Sequence, residues 1–451
     1  MFDTIAAIST TLGVGAISII RVSGKDAIKI VNHIFDSKDL EKMPTHTIHY
    51  GHIIDREKII DEVLVSVMRG PKTFTTEDIV EINCHGGIST TKKVLELLLN
   101  NGAILAEPGE FTKRAFLNGR IDLIEAESVM DLINSKTEKS RELAINGIEG
   151  KISLLIKKLR KNLLETIANI EVNIDYPEYE DILVVTNEMI KKNIVDIKEK
   201  LKIILKESEN GKIIKEGINV LIIGRPNVGK SSILNKLIDE EKAIVTDIEG
   251  TTRDIVEGSI NLDGIALNII DTAGIRETED IIEKKGVEKS LNLVEKADLV
   301  ILVLNNNEEI RKEDFELLDK TQGKKRIILI NKIDLETKLD RRKLNNSEII
   351  ESSTVNDFGL EGLTEKIKEI FNLNELETKD LTYLSNARQI SILKNTLTLV
   401  YEVELGIKNN MPVDILEIDI KNIWELLGNV IGENYSDELI DQLFSQFCLG
   451  K

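Results

Sequence analysis

The chain is 451 residues long, 41% hydrophobic and 30% charged, with two cysteines and a formal net charge of −19. No run approaches the roughly 18 consecutive apolar residues of a membrane-spanning helix, and two cysteines far apart, Cys84 and Cys448, exclude a disulfide framework and suit a reducing cytosol. The acidic balance excludes a protein that grips nucleic acid through phosphates alone, which would be basic.

The first residues, Met1-Phe2-Asp3-Thr4, lack the basic start and apolar core of a signal peptide. Residues 1–118 show short alternating runs, Ala16 to Val22, Glu62 to Val67 and Ile79 to Asn83, punctuated by Gly, Pro and Asn; this predicts an α+β domain. His46, His49 and His52 are spaced by odd intervals, which on a strand puts neighbours on opposite faces and argues against a shared metal. Residues 119–215 read as helical: Ile148, Ile152, Leu155, Leu159, Leu163, Ile167, Ile170 and Ile174 recur every three or four positions until Pro177 interrupts. Lys151, Lys157, Lys158, Arg160 and Lys161 are the best candidates for a local basic patch, with a solvated helix face as the simpler reading. Residues 216–374 alternate strands and helices, with compact runs at Val220 to Ile223, Ala266 to Ile270, Leu299 to Leu304 and Arg326 to Ile330. That pattern predicts a parallel sheet with crossover helices. Helical periodicity returns over 375–451 (Ile390, Leu393, Leu397, Val400), so an α/β domain interrupts a discontinuous helical domain.

The chemistry concentrates in the inserted domain. Gly224-Arg225-Pro226-Asn227-Val228-Gly229-Lys230-Ser231 fits the phosphate-loop pattern G-x-x-x-x-G-K-[ST] between a predicted strand and a predicted helix. Its glycines let backbone N–H groups of Asn227, Val228, Gly229, Lys230, Ser231 and Ser232 wrap phosphates at a helix N-terminus. Lys230 is placed to reach the β- and γ-phosphates, and Ser231 to ligate Mg²⁺ together with the switch residue Thr252 of Gly250-Thr251-Thr252-Arg253-Asp254. Asp271-Thr272-Ala273-Gly274 ends the next strand run, with Asp271 suited to the magnesium shell and the Gly274 N–H to the γ-phosphate. Asn331-Lys332-Ile333-Asp334 ends another. Asp334 offers two acceptor oxygens to the N1–H and exocyclic amine of guanine, where adenine would present an acceptor and leave the carboxylate unpaired. Ser352-Ser353 is positioned to close over the base. These motifs predict a Ras-like P-loop domain for GTP, but Ile275, where many such enzymes carry a water-orienting Gln, can neither orient water nor supply charge.

Asp3 to Ile8, the run Pro108 to Gly119 (Pro-Gly-Glu-Phe-Thr-Lys-Arg-Ala-Phe-Leu-Asn-Gly), the Gly-Thr-Thr-Arg-Asp switch and the C-terminal Phe447-Cys448-Leu449-Gly450-Lys451 resemble the MnmE (TrmE) tRNA-modification GTPases along the whole chain. The resemblance implies an N-terminal α+β folate-binding-like and dimerisation domain and a homodimer. It also implies K⁺ in place of an arginine finger, with ligands at Asn227, Thr246, Ile248 and Thr251 and a loop that forms as two G domains meet. The general base maps to Glu283, twelve residues after Asp271; without the resemblance Glu283 reads as a surface helix carboxylate. A tetrahydrofolate derivative of 5-formyl or 5,10-methylene type maps to Arg21, Glu81, Arg120 and Lys451. The implied chemistry is an aminomethyl-type group at C5 of the tRNA wobble uridine, installed with a flavin-dependent partner of the MnmG (GidA) type. Cys448 is a candidate nucleophile, since a thiolate adds to C6 of uracil; its bland reading is a buried small residue. A regulatory GTPase switch in ribosome assembly shares the G motifs, though the acidic flanks lack a basic RNA-binding domain.

Overall fold

The computed structural model describes residues 3–175, 187–240, 243–244, 256–270, 293–344, 348–356, 358–373 and 384–450. The N-terminal part forms β1 (Ile5–Ile8), β2 (Ile17–Ser23), α1 (Ala27–Asn32), β3 (Thr47–Asp55), β4 (Lys58–Met68), β5 (Ile79–His85), α2 (Ile88–Asn100), β6 (Ile104–Leu105) and α3 (Glu110–Leu117). Helices α4 (Leu123–Asn134), α5 (Glu138–Ile148), α6 (Lys151–Asp175) and α7 (Asn187–Glu216) follow. Next come β7 (Ile218–Ile223), α8 (Lys230–Glu240), β8 (Ala243–Ile244), β9 (Val256–Leu262), β10 (Ile265–Ile270), β11 (Leu299–Asn305), α9 (Lys312–Lys320), β12 (Arg326–Asn331), β13 (Glu348–Glu351) and α10 (Leu360–Ile370). Helices α11 (Ala387–Lys408), α12 (Val413–Ile431) and α13 (Asp437–Phe444) complete the order. Among the described residues no helix is long and apolar enough to cross a membrane.

The chain divides into two compact units. The first gathers residues 1–130, 147–195 and 398–451. Its six-stranded sheet runs β3-β4-β5-β2-β1-β6. Strand β4 shows why it pairs there: Val63, Val65 and Val67 are buried while their neighbours are not, the period-two pattern of a sheet with one covered face. Helix α2 supplies cover through Val94, Leu97 and Leu98.

The helical part of this unit differs from expectation at one point. The apolar periodicity through Ile148 does not make one helix. Ile148 ends α5, and Gly150, at φ +71°, turns the chain before α6 begins at Lys151. A left-handed residue cannot continue a right-handed helix, and Gly occupies that region without steric cost. Helix α6 buries Ile156, Leu159 and Leu163, and α12 buries Ile420, Ile423 and Leu427; each such side chain removed from water is worth about 1.5–3 kcal/mol.

The basic-patch candidate also dissolves here. Arg160 is 7% exposed, stacks 4.1 Å from the Trp424 ring centroid, donates to the Trp424 carbonyl and pairs with Glu433. Lys157 pairs with Asp122 at 3.0 Å, and Lys151 with Glu149 at 3.6 Å. Of the five candidates, Lys151, Lys157, Arg160 and, 4.0 Å from Glu165, Lys161 have intramolecular partners.

The second unit gathers residues 131–146 and 196–397 around a seven-stranded sheet ordered β13-β12-β11-β7-β10-β9-β8. Strands β10, β7, β11, β12 and β13 run parallel, and β9 and β8 continue the edge antiparallel. Strand β11 is buried along its whole length, as a central strand covered on both faces must be. The mixed architecture expected from the sequence, an α+β part, a helical part and a P-loop α/β part, is the one observed.

Candidate nucleotide-binding site

In an open parallel sheet, ligands bind beyond the carboxyl ends of the strands. Strand β7 delivers its last residue, Ile223, into the loop 224–229, and α8 opens at Lys230. Three backbone conformations shape that loop: Gly224 at φ +156°, Asn227 at φ +63° and Gly229 at φ +99°. A Cβ at Gly224 would stand 2.5 Å from the Val303 carbonyl oxygen, and one at Gly229 would stand 2.2 Å from Asn331 Nδ2. Both glycines are therefore required by close approach as well as by backbone conformation.

Lys230 lies at the first turn of α8 with Nζ donating to the carbonyls of Gly224 at 2.9 Å and Arg225 at 2.8 Å. Burial holds its pKa below the ordinary lysine range, because desolvation penalises the ammonium. A phosphate beside it would restore that lost solvation, which suits an anion site.

Strand β12 ends at Asn331, and its side chain crosses to the phosphate loop: Asn331 Nδ2 donates to Val228 O at 2.9 Å. Lys332, itself left-handed at φ +60°, donates from Nζ to Asn227 O at 2.8 Å. The two sequence motifs are thus bonded to each other. Asp334 accepts from Ser353 Oγ at 2.5 Å, and Ser353 Oγ also accepts from the Asn356 amide at 3.3 Å. Ser352 and Ser353 are both buried; Ser352 meets Asn331 Oδ1 at 3.5 Å and Ser353 holds Asp334.

One contributor was not singled out in the sequence. Asn306, 1% exposed, donates its amide N–H to Asn331 O and its Nδ2 to Leu335 O and Thr337 Oγ1, so it holds the loop that carries Asp334. The available signal was an Asn-Asn-Asn run directly after an apolar strand, where buried amides rather than turn residues are needed. Thr246, Ile248, Thr251, Thr252, Asp271, Thr272, Ala273, Gly274 and Glu283 lie outside the described residues.

A second constellation sits in the first unit. Arg21 and Glu81 are cross-strand partners of β2 and β5, joined at 2.9 Å from Nε and 2.8 Å from Nη2. Arg21 lies 5.6 Å from the Phe111 ring centroid, and Arg120 lies 4.9 Å from that of Phe74. Phe74 and Phe111 belong to one small apolar cluster with Ile5, Ala7 and Ala106. The C-terminal segment returns to the same region: Ser9 Oγ donates to Gly450 O at 3.1 Å and Gly109 N to Cys448 O at 3.1 Å. Cys448 is exposed, which removes the reading of a buried small residue; Lys451 lies outside the described residues. The histidines stay apart, His49 with Thr47 and His52 with Asp36.

A parallel sheet that presents a half-buried lysine at one strand end, and a serine-held aspartate two strands away, has the arrangement of the P-loop GTPases. The family model described as the MnmE helical domain matches residues 123–448, and that of the GTP-binding protein TrmE N-terminus matches residues 4–120. Proteins named tRNA modification GTPase MnmE are similar over the full chain. That of Enterococcus faecalis is 54% identical over 100% of this chain and 98% of its own, that of Ligilactobacillus salivarius 52% over 100% and 98%, and that of Bacillus subtilis 50% over 100% and 100%. The chain belongs to the MnmE family.

Proposed function

We propose that this protein hydrolyses GTP in the service of tRNA modification, at the wobble uridine, with a flavin-dependent partner of the MnmG type. The observation that carries the GTP reading is the bonded contact between the two recognition loops. Asn331 to Val228 and Lys332 to Asn227 fix the guanine-reading aspartate relative to the phosphate loop. A base and a triphosphate are then selected as one rigid object, which lowers the ordering cost of binding.

In this reading Lys230 and the loop amides hold the β- and γ-phosphates, and Asp334 selects the base. Ser231, at the start of α8, and Thr252 would hold Mg²⁺, which supplies charge neutralisation across the phosphates. Asn227 is exposed and left-handed at the crest of the loop. Its amide oxygen suits a hard monovalent cation, and Thr246, Ile248 and Thr251 would complete a K⁺ site in a dimer of G domains. Glu283 orients the attacking water through a bridging water. The Arg21–Glu81 pair beside Phe74 and Phe111 offers a carboxylate, guanidinium groups and aromatic faces to a pterin. Arg120 and Lys451 are assigned to its carbonyls or anionic tail, and the bound one-carbon tetrahydrofolate would supply the transferred carbon. Cys448 stays a candidate beside that site. The protein acts in the cytoplasm as a homodimer.

Calorimetry with GTP and ATP in magnesium tests the first layer: GTP binds and ATP does not, and equal binding overturns it. Turnover in potassium against sodium tests the cation; equal rates remove it. Glu283→Ala should bind GTP and lose hydrolysis. Mass spectrometry of wobble nucleosides from cells lacking the gene tests the tRNA role. Unchanged nucleosides would favour a ribosome-assembly switch.

A further inference from the structure

Arg225 is the first variable residue of the phosphate loop, a position the motif leaves open. Here it is locked from two sides. Its Nε donates to both oxygens of Asp314 at 2.9 Å, and its Nη1 donates to Glu308 at 3.0 Å. Asp314 is 1% exposed and also accepts from the Arg311 amide, capping α9. Glu308 accepts in addition from Asn305 Nδ2 at the end of β11 and from Arg311. Burial pushes the Glu308 carboxyl upward, but the hydrogen bond and charge of Arg225, with the Asn305 bond and the Arg311 charge, together hold it below the usual carboxylate range. At its other end, the Arg225 carbonyl accepts from Lys230 Nζ at 2.8 Å.

One residue therefore connects a buried carboxylate outside the loop to the ammonium group inside it. A surface ion pair would contribute little. A planar guanidinium held at both Nε and Nη1, by groups on two different segments, instead fixes the peptide that follows it. We propose that Asp314 and Glu308 are positioning residues for GTP hydrolysis, acting through Arg225 on the placement of Lys230. This rests on the assignment of Lys230 to the phosphates. The lysine is needed where charge develops between the β- and γ-oxygens, and small displacements of such a group lower rate steeply, about a hundredfold for 1 Å.

Four variants of the protein test it, each measured for single-turnover hydrolysis of bound GTP, GTP affinity and melting temperature. Asp314→Asn keeps the shape and leaves Glu308 as a partner for the guanidinium. Arg225→Lys keeps the charge and loses the fork. Both should lower the hydrolysis rate about tenfold or more, while GTP affinity falls less than threefold, and Arg225→Met should be slower than Arg225→Lys. A purely structural pair would instead lower the melting temperature and leave the rate of the folded fraction unchanged, which overturns the proposal. If Asp314→Asn fails to fold, Arg225→Lys decides alone by the same two outcomes. Lys230→Ala separates the layers. If it binds GTP as well as the parent, the phosphate-loop assignment itself falls. If it loses GTP while Asp314→Asn and Arg225→Lys hydrolyse at the parent rate, only the positioning role falls.

Discussion

In the proposed function Asp334 selects the base with a single carboxylate, and its Ser353 bond keeps one oxygen oriented. Replacing it with Asn turns one acceptor into a donor. Guanine then faces an N–H against its exocyclic amine, while xanthine, with a carbonyl there, gains a partner. Asp334→Asn should cost GTP about tenfold to a hundredfold in affinity, since discrimination by one hydrogen bond is worth about 1–3 kcal/mol. Competition binding with XTP and GTP checks it; an unchanged GTP preference would move the specificity elsewhere. The role proposed for this residue rests on local chemistry, an acidic side chain three positions after the strand's terminal Asn331 in a fixed motif. Asn306 was harder to read, because its three bonds run to residues 25 or more positions away and the Asn-Asn-Asn run around it names none of those partners.

His85 shows the same point for charge. Its Nδ1 lies 2.7 Å from Asp61, a neighbour only through strand pairing, and that hydrogen bond and charge raise its pKa above the usual value of about 6.5. A raised folded pKa means the contribution to stability is fully present below the unfolded value and is lost as pH rises through the folded one. Asp61→Asn should return the His85 titration, followed by NMR, toward its ordinary value. An unmoved titration would assign the shift to another group.

At the scale of elements, the phosphate loop is stiff because close approach forbids side chains. Gly229→Ala adds a Cβ 2.2 Å from Asn331 Nδ2 and forces an alanine to φ +99°. The left-handed penalty alone is about 1–2 kcal/mol, and the clash breaks the bond between the two recognition loops. Guanine-nucleotide affinity should fall by about tenfold or more. Gly258→Ala meets nothing within 4 Å and is the control, with little effect expected. Equal behaviour of the two variants would show that the loop tolerates what its geometry forbids. The parallel strands were readable from their continuous apolar runs, and β11 extends one residue beyond the expected run to Asn305. Strand β9 was not read, because Val256–Leu262 mixes Gly, Ser and Asn with its apolar residues and gains its place only by pairing with β10. The break at Gly150 was hidden for a related reason. Apolar spacing continues across it, and only a backbone angle ends the helix.

At the scale of the molecule, the boundary of the nucleotide-binding unit differs from the boundary of the nucleotide motifs. Residues 131–146 belong to the second unit although they precede the phosphate loop by some 80 positions. Leu143, 5% exposed, is part of the same core as Val220, Ile222, Ile260 and Leu267. Asp131 pairs with Lys215 at 2.8 Å, and Lys136 reaches Ser259 Oγ at 3.4 Å and Asn268 Oδ1 at 3.5 Å. Texture along the chain placed this segment with the helical domain, since periodicity reports which face of a helix is apolar and not which core receives it. The consequence is measurable. A ligand that binds only the folded unit raises the melting of that unit, so the transition that moves upward with GDP identifies it. Leu143→Ala should lower that same transition, by about 2–5 kcal/mol in unfolding free energy, although the residue lies far from the nucleotide motifs in sequence. If instead the GDP-sensitive transition stays in place and another one falls, Leu143 supports the first unit and the core assignment is wrong.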